Sequence, residues 1–324
     1  MAFDLRRPRI HVVGCGGAGT NSVHRLVSSG LKGARTVAVN TDREHLSRSS
    51  CDARVLLGDG AIRSTGGRPE IGERLAARHE KETRSAVCGG DLTFVIAGLG
   101  GGVGTGVAPL VARWSRQSGA LVVGLATTPF RAERSRQEVA GKGVQAFREA
   151  CNSLIVLDNE RLLARVPDLP VDQAFAVMDH LVGEVIRGIS DALLEPSVIH
   201  LDFPDLREVL LQGGTSTLLF GEGDSRDPEG VVDAAFANSL LDADCSGAAG
   251  AIIHVTSGTD LPLRSVHGVV DRLAGRIRPG ARVAFGIRSD PEFEGSMRVM
   301  TILTGVRARN QGVRLNPDPD PPSA

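Results

Sequence analysis

The chain has 324 residues, of which 41% are hydrophobic and 23% charged, and its formal net charge is −1 at pH 7. This is the composition of an ordinary globular protein long enough for two domains. The near-zero net charge excludes a general electrostatic attraction to nucleic acid or anionic membranes. Aromatic residues make up 3% of the chain, which argues against a base-stacking surface for single-stranded nucleic acid.

The five cysteines form no C-x-x-C pair, and none has metal-ligand spacing from a histidine. This usage is typical of free thiols in a reducing compartment, and it predicts no metal site built from protein side chains. No apolar run reaches about 18 residues, and residues 1–9 lack the apolar core of a signal peptide. The sequence therefore predicts a cytoplasmic protein without direct membrane insertion.

A strand, a glycine loop and a helix begin the chain. Residues 9–13 predict a strand, residues 14–19 match G-x-G-x-x-G, and residues 21–31 carry apolar side chains at helical spacing. A second predicted strand at 36–40 is followed by Asp42. On its own this pattern is a dinucleotide-binding fingerprint, so an NAD-dependent oxidoreductase is one hypothesis.

A second glycine loop lies at 97–106, where six of ten residues are glycine. It follows an apolar predicted strand at 92–96 and precedes a predicted helix at 107–114. Glycine lets a ligand approach the backbone, and the helix start supplies unpaired N–H groups that suit phosphate. A tight turn is the alternative, but it needs far fewer glycines. We therefore interpret this stretch as a phosphate-binding loop.

Further predicted strands at 54–57, 121–126 and 153–157 alternate with helices that begin near Glu70 and Glu133. Near-continuous apolar strands between helices predict a parallel sheet covered on both faces. Ligands of such sheets bind at the carboxyl ends of the strands. Because both glycine loops follow strands, we expect them to converge on one ligand.

The pattern changes at residue 171. Apolar residues at helical spacing predict a single helix over 171–194, roughly 36 Å long, packed between two units and ended at Glu195-Pro196. A smaller α+β unit follows, with strands predicted at 217–221, 251–256, 282–287 and 298–303 and helices at 229–240 and 263–277. The proline-rich residues 307–324 predict a disordered tail.

The two glycine loops favour a triphosphate. Neither contains the G-x-x-x-x-G-K-[ST] pattern of P-loop NTPases, and no lysine follows the glycines. Phosphates would then be held by backbone N–H groups, the helix dipole, hydroxyls such as that of Thr105, and a bound Mg²⁺. A dinucleotide fold usually needs only the first loop, so the second favours a nucleoside triphosphate.

Several motifs resemble those of the tubulin/FtsZ family and occur in the order that FtsZ proteins have. Residues 100–106 are similar to the signature G-G-G-T-G-T-G, and the loop at 14–19 resembles the FtsZ nucleotide loop. The other similar motifs lie at 40–42, 69–72, 127–130, 159–163 and 200–205. The match runs from about residue 9 to 305, and on it the chain is identified as a member of this family.

This resemblance implies a Rossmann-like parallel-sheet α/β domain that binds GTP or GDP at 1–170, a central helix at 171–195, a smaller α+β domain at 196–306 and a tail at 307–324. It implies a GTPase that polymerises head to tail into protofilaments, with other copies of itself as its partners. A role in cell division, with division or membrane-adaptor proteins as further partners, is also implied.

The resemblance assigns residues to the nucleotide site. These are Gly16, Gly17, Ala18, Gly19, Thr20 and Asn21 in the first loop, Gly102, Val103, Gly104, Thr105 and Gly106 in the second, and Glu133, Arg136, Phe175 and Asp179. Phe175 would pack on guanine, and the Asp179 carboxylate would accept the N1 and N2 hydrogens, a pair that adenine does not offer. Core packing is the alternative for Phe175, and a solvated helix start for Glu133 and Arg136.

Asp202 and Asp205 are the implied catalytic residues. Across a subunit interface they would orient and polarise the water that attacks the neighbour's GTP, with help from Mg²⁺. Hydrolysis would then require assembly, because neither subunit holds a complete site. Without the resemblance, both acids are interpreted as solvated loop residues or helix caps.

The chain departs from the family's pattern at several points. Val103 replaces a threonine, which removes a hydroxyl near the phosphates, and His200 replaces an asparagine in the catalytic loop. Glu133 and Arg136 are one residue closer together than in the family, and the tail lacks the apolar and basic peptide that binds membrane adaptors. An alternative is therefore an FtsZ-like paralogue with slow or no hydrolysis that acts as a structural filament or GTP switch.

Overall fold

The computed structural model describes residues 7–59, 64–195 and 197–308. Its first half alternates strands and helices, as the apolar runs predict. The strands are β1 (Ile10–Cys15), β2 (Ala34–Asn40), β3 (Ala53–Leu56), β4 (Leu92–Gly98), β5 (Leu121–Thr128) and β6 (Ser153–Asp158). The helices are α1 (Gly16–Ser28), α2 (Arg43–Arg48), α3 (Pro69–Arg78), α4 (Glu80–Val87), α5 (Gly102–Gln117), α6 (Arg134–Ala150) and α7 (Asn159–Arg165).

The second half begins with the long helix α8 (Val171–Leu194), whose bounds are those predicted. The remaining helices are α9 (Phe203–Leu210), α10 (Pro228–Ala237) and α11 (Leu263–Ala274), with one 3₁₀ turn at Pro291–Phe293. The remaining strands are β7 (Thr215–Asp224), β8 (Ala243–Asp244), β9 (Gly250–Ser257), β10 (Arg282–Ser289), β11 (Ser296–Thr304) and β12 (Arg307–Ala308).

Ten strands form one sheet in the order β10-β9-β11-β7-β6-β5-β4-β1-β2-β3. Strands β1 to β6 are parallel to their neighbours, and β6 continues into β7 through two residue pairs, Leu154 with Thr215 and Ile155 with Ser216. Strand β11 runs antiparallel to β7 and β9. The parallel-dominated α/β sheet is the fold class that the sequence predicts.

Helix α8 lies along one face of this sheet. Its buried side chains, among them Met178, Val182 and Ile189, share one apolar cluster with Phe94 of β4 and Ile302 of β11. One helix therefore packs against strands from both halves of the chain. Burial of this apolar stripe is the main force that fixes the helix in place.

Two helices begin earlier than the sequence predicts. Helix α1 starts at Gly16 rather than at residue 21, and α5 starts at Gly102 rather than at residue 107. Glycine is a poor helix former, so its presence disguises the first helical turns. The glycines are required there because neighbouring backbone lies too close for a side chain, as shown for the site below.

The described structure continues for two residues past the predicted boundary at 306/307. Arg307 and Ala308 form β12, which pairs antiparallel with β8. The rest of the predicted tail, residues 309–324, lies outside the described residues, as does Pro196, which was expected to end the long helix. Among the helices described, none is long and apolar enough to cross a membrane.

Candidate functional site

Two cavities adjoin at the carboxyl ends of β1 and β4. The loop cavity, of about 460 Å³, is lined by the two glycine loops, by residues that follow β2 and by part of the segment before α3. The helix cavity, of about 390 Å³, is lined by residues of α1, α6 and α8. Gly17, Ala18, Gly98 and Arg136 line both cavities, so the two form one continuous cleft.

Two helices begin at the loop cavity without capping side chains. The residues at the N-cap positions, Cys15 of α1 and Gly101 of α5, make no side-chain capping bond, and neither helix has an acid in its first turn. The first N–H groups of a helix have no partner within the helix and lie at the positive end of its dipole. Two such ends at one cavity make it suitable for a polyphosphate.

The glycines of the second loop allow the close approach of other backbone segments. A Cβ atom on Gly102 would overlap the Thr65 side chain and the Arg68 carbonyl, one on Gly104 the Gly98 carbonyl, and one on Gly106 the Pro69 carbonyl. In this loop only Gly100 has a positive φ, of +94°. Most of these glycines are therefore needed for packing, and conformational freedom explains only one of them.

The two loops touch each other at Gly16. This residue has φ +74°, and a Cβ atom on it would lie 2.8 Å from the Gly104 nitrogen. Both the backbone angle and the contact therefore require glycine. The contact holds the two helix starts against one cavity.

Most of the residues predicted to bind nucleotide line this cleft. They are Gly17, Ala18, Asn21, Gly102, Val103, Gly104, Glu133, Arg136, Phe175 and Asp179. The other five predicted binding residues, Gly16, Gly19, Thr20, Thr105 and Gly106, line neither cavity.

The structure gives these five residues supporting positions. A Cβ atom on Gly19 would overlap the Ile96 carbonyl, so Gly19 lets α1 pack on β4. Thr20 is fully buried. The Thr105 hydroxyl accepts a hydrogen bond from the Gly100 N–H at 2.9 Å. That bond stabilises the loop, and the predicted contact of the Thr105 hydroxyl with phosphate stays a prediction.

Asp179 is held by two side chains of α1 that the sequence analysis missed. The Ser22 hydroxyl donates to Oδ1 of Asp179, and the Arg25 guanidinium lies 3.2 Å from Oδ2. Burial raises the pKa of the Asp179 carboxyl, while the Ser22 hydrogen bond and the Arg25 charge act in the opposite direction. The signal was present in the helical spacing of residues 18, 22 and 25, which puts them on one face.

An aromatic and an amide complete the helix cavity. Phe175 is 41% exposed and packs against Phe130, with ring centroids 5.8 Å apart. Its exposure argues against the core-packing alternative. Asn159, also missed as a site residue, is 7% exposed, and its Oδ1 atom has no hydrogen-bond partner among the described residues. A buried acceptor without a partner is costly, and a ligand that donates to it removes that cost.

Glu133 and Arg136 form an ion pair at the junction of the cavities. The Arg136 guanidinium donates to one carboxylate oxygen of Glu133, and the other accepts from the Phe130 N–H at 3.2 Å. Despite the shortened spacing, Arg136 lines both cavities and Glu133 lines the helix cavity. The pair is thus part of the cleft wall, and the alternative of a merely solvated helix start does not describe its position.

Asp202 and Asp205 lie far from this cleft. Residues 179–194 of α8 rise by about 23 Å, and Leu194 ends beside Gly33, at the amino end of β2. The chain then runs along β10, where Ile199 pairs with Ile287. Asp202 occupies the N-cap position of α9 but its side chain makes no capping bond, and both acids are exposed. Capping therefore does not explain Asp202.

Comparisons with known proteins agree with this geometry. Residues 9–167 match the Tubulin/FtsZ family GTPase domain, and residues 214–307 match the FtsZ family C-terminal domain. The cell division protein FtsZ 2 of Halobacterium salinarum is 43% identical over 93% of this chain and 77% of its own length. FtsZ 2 of Methanocaldococcus jannaschii is 42% identical over 95% and 82%.

Solved structures show the same fold. An empty FtsZ dimer from M. jannaschii matches with a TM-score of 0.86 and 37% identity, over 93% of this chain and 89% of that one. A GTPγS-bound protofilament of CetZ2 from Haloferax volcanii matches with a TM-score of 0.80 over 92% and 93%. Its identity is 21%, so this likeness concerns the fold alone.

The chain belongs to the tubulin/FtsZ family of GTPases. Two domain matches in sequence order, together with FtsZ relatives along nearly the whole chain, confirm the resemblance predicted from the motifs. The NAD-dependent oxidoreductase hypothesis is not supported. The G-x-G-x-x-G pattern at residues 14–19 lies within the part of the chain that matches the GTPase domain.

Proposed function

We propose that this GTPase binds GTP with the triphosphate in the loop cavity and guanine in the helix cavity. The observation that carries this proposal is the convergence of two uncapped helix starts on the loop cavity. Backbone N–H groups would hold the phosphates, and Arg136, at the junction, would add the positive charge. The five supporting residues Gly16, Gly19, Thr20, Thr105 and Gly106 would shape the loops.

Guanine would be recognised by acceptors in the helix cavity. Asp179 has two carboxylate oxygens, which suit the N1 and N2 hydrogens of guanine. Asn159 lines the same cavity, and its unpartnered Oδ1 would supply a further acceptor. Phe175 would pack on the base, because it is the exposed aromatic at this cavity.

Head-to-tail assembly would complete the catalytic site. Asp202 and Asp205 are exposed, lie beyond the far end of α8 and line neither cavity of their own chain. A second copy stacked on the cleft could bring them to the terminal phosphate, where carboxylates would orient the attacking water. Heterologous contacts of this kind build open filaments. The relatives named as cell division proteins support that cellular role, and adaptor partners remain part of the proposal.

Mg²⁺ would be held mainly by the nucleotide. No group of three or more His, Cys, Asp or Glu side chains in the described parts of the chain could hold a metal ion. Mg²⁺ usually binds through substrate phosphates, waters and one or two carboxylates. Asp42 is the carboxylate among the described residues of the loop cavity, so it fits this role. The ion would neutralise charge on the phosphates.

A slow-hydrolysing filament or switch is the second candidate. Val103 is 7% exposed and lines the loop cavity with methyl groups where the family has a hydroxyl. His200 stands beside Asp202, with Nε2 and Oδ1 3.9 Å apart. Val103 lies at the proposed phosphate site and His200 lies beside a proposed catalytic acid, so both substitutions would affect hydrolysis. Both leave the nucleotide cleft intact.

The test is phosphate release and light scattering measured against protein concentration. With GTP we expect filaments above a critical concentration and a specific activity that rises with assembly, whereas GDP should give neither. Asp205→Ala should bind GTP normally and lose at least about 100-fold in turnover, while Asp271→Ala, an exposed acid on α11, serves as the control. A specific activity independent of concentration would overturn the shared site. Filaments without turnover would favour the second candidate.

A further inference from the structure

A histidine outside the predicted site lies at the edge of the cleft. His45, on α2, lines the loop cavity, and its two ring nitrogens face two asparagines. Nε2 lies 2.7 Å from Oδ1 of Asn21, and Nδ1 lies 3.4 Å from Nδ2 of Asn40. The ring therefore connects the end of β2 to the start of α1.

The orientation of the Asn40 amide is determined by the backbone. Asn40 is 4% exposed, and its Oδ1 accepts the Thr41 N–H at 2.8 Å. A backbone N–H can only donate, so the oxygen of Asn40 must face it and the NH₂ group must face the other way. That NH₂ group points to Nδ1 of His45 and to the Thr20 hydroxyl oxygen, 3.5 Å away.

The tautomer of His45 follows from this orientation. Because the Asn40 NH₂ group donates to Nδ1, that nitrogen must accept, and a neutral imidazole then carries its hydrogen on Nε2. Nε2 donates this hydrogen to Oδ1 of Asn21. With its oxygen engaged, Asn21 has its NH₂ group left for the helix cavity, which it lines.

We propose that His45 is a positioning residue that fixes Asn21 as a hydrogen-bond donor to an acceptor atom of the bound nucleoside. The inference rests on the proposed binding of GTP in this cleft. The helix cavity then carries a fixed donor, Asn21, and a fixed acceptor, Asp179. Without His45 the amide of Asn21 could rotate and present a second acceptor, which repels a nucleoside oxygen or ring nitrogen.

The test is a double-mutant cycle on GDP affinity, measured calorimetrically below the assembly concentration. Asn21→Ala should weaken binding about 10-fold and His45→Leu about 5-fold, since each loses one directed hydrogen bond. The double variant should bind no more weakly than Asn21→Ala alone, because His45 acts through Asn21. His45→Gln, which can donate from a similar position, should recover most of the affinity. His267→Leu, on the distant α11, is the matched control.

Additive losses in the double variant, or no rescue by His45→Gln, would overturn the inference while leaving GTP binding in place. Failure of the unmodified protein to bind guanine nucleotides would instead overturn the proposed function. A second measurement needs no substitution that could impair folding. Nuclear magnetic resonance of ¹⁵N-histidine-labelled protein should find the Nε2–H tautomer at His45, and an Nδ1–H tautomer would contradict the hydrogen-bond chain.

Discussion

The Ser22 hydroxyl on α1 donates to the carboxylate of Asp179 on α8, and Arg25, almost one turn further along α1, pairs with the second oxygen at 3.2 Å. These two contacts orient the carboxylate and favour its charged form, whereas burial favours the neutral form. The balance between them determines at which pH the carboxylate is available as an acceptor for guanine.

Nucleotide affinity should therefore weaken in mild acid. Burial raises the pKa of Asp179, so on lowering the pH the carboxylate takes up its proton at a higher pH than an ordinary aspartate does. GDP affinity should fall as the pH is lowered through that raised pKa, and Ser22→Ala should move the fall to higher pH. Titration calorimetry between about pH 5 and 7.5 tests this. Asp179→Asn should bind about 10-fold more weakly and lose this acid-dependent step.

Two inactive variants should restore each other. Asp205→Ala keeps the cleft and loses the acid, whereas Asp179→Ala keeps the acid and loses guanine affinity. In a 1:1 mixture roughly a quarter of head-to-tail contacts join an intact cleft to an intact acid. Phosphate release from the mixture should therefore exceed the sum of the separate variants. A mixture no more active than that sum would mean that each cleft uses the acids of its own chain.

Packing at the second loop should tolerate alanine at Gly101 and reject it at Gly104. A Cβ atom on Gly104 would overlap the Gly98 carbonyl, whereas one on Gly101 would meet only Arg136 at 3.9 Å. Without nucleotide, Gly104→Ala should lower the free energy of unfolding by about 1–3 kcal/mol, and Gly101→Ala should leave it within about 0.5 kcal/mol. Urea unfolding measures both, and equal losses would contradict this account.

Buried His254 should make the fold sensitive to acid. Burial lowers the pKa of His254 to about 4, and the Arg288 charge adds to the effect. The unfolded chain takes up this proton near pH 6.5, so stability is fully present above that pH and is lost as the pH falls towards the folded value. The loss should reach about 2 kcal/mol between pH 7 and pH 5.

The matched variant is His254→Leu, since its neighbours on the adjacent strands are Gly286 and Met300 and an apolar side chain fits between them. Its urea midpoint should vary less between pH 7 and pH 5 than that of the unmodified protein. If the urea midpoint of His254→Leu changes between pH 7 and pH 5 as much as that of the unmodified protein, other groups cause the acid sensitivity.

Restoring the family's hydroxyl should speed the reaction. Val103→Thr keeps the shape of a side chain that is 7% exposed and adds a hydroxyl at the loop cavity. We expect turnover to rise up to about 10-fold with GTP affinity changed less, and His200→Asn to act in the same direction. Turnover that stays the same or falls would show that these residues are not what limits the rate.

Periodicity predicted those elements whose environment is uniform along their length. Helix α8 has the predicted bounds because its apolar stripe is continuous. The starts of α1 and α5 were placed too late because their glycines serve contacts with distant backbone, which a local pattern does not contain. The short helices α2 and α7, each of which begins after an aspartate cap, were not predicted because they are too short to show an apolar stripe.

The site residues that lie in family motifs were predicted, and those whose role depends on tertiary contacts were missed. Gly17, Asn21 and Asp179 belong to recognised motifs and line the cleft. Ser22, Arg25 and His45 contact residues that are distant in the sequence or lie on another element. Helical spacing puts Ser22 and Arg25 on the same face as Ala18, but the sequence does not show that Asp179 lies opposite that face.

Helix α8 carries Asp179 of the cleft in its first half and leads to the loop of the proposed catalytic acids beyond its end. In a filament, each copy would bind nucleotide in its own cleft and place Asp202 and Asp205 at the cleft of the next copy. The length of this helix would then set the distance between subunits. Adding one turn would lengthen it by about 5.4 Å. Such a change would put the acids out of reach of the neighbour's GTP while each copy still bound nucleotide. The length of one rigid helix therefore links the spacing of the polymer to its chemistry.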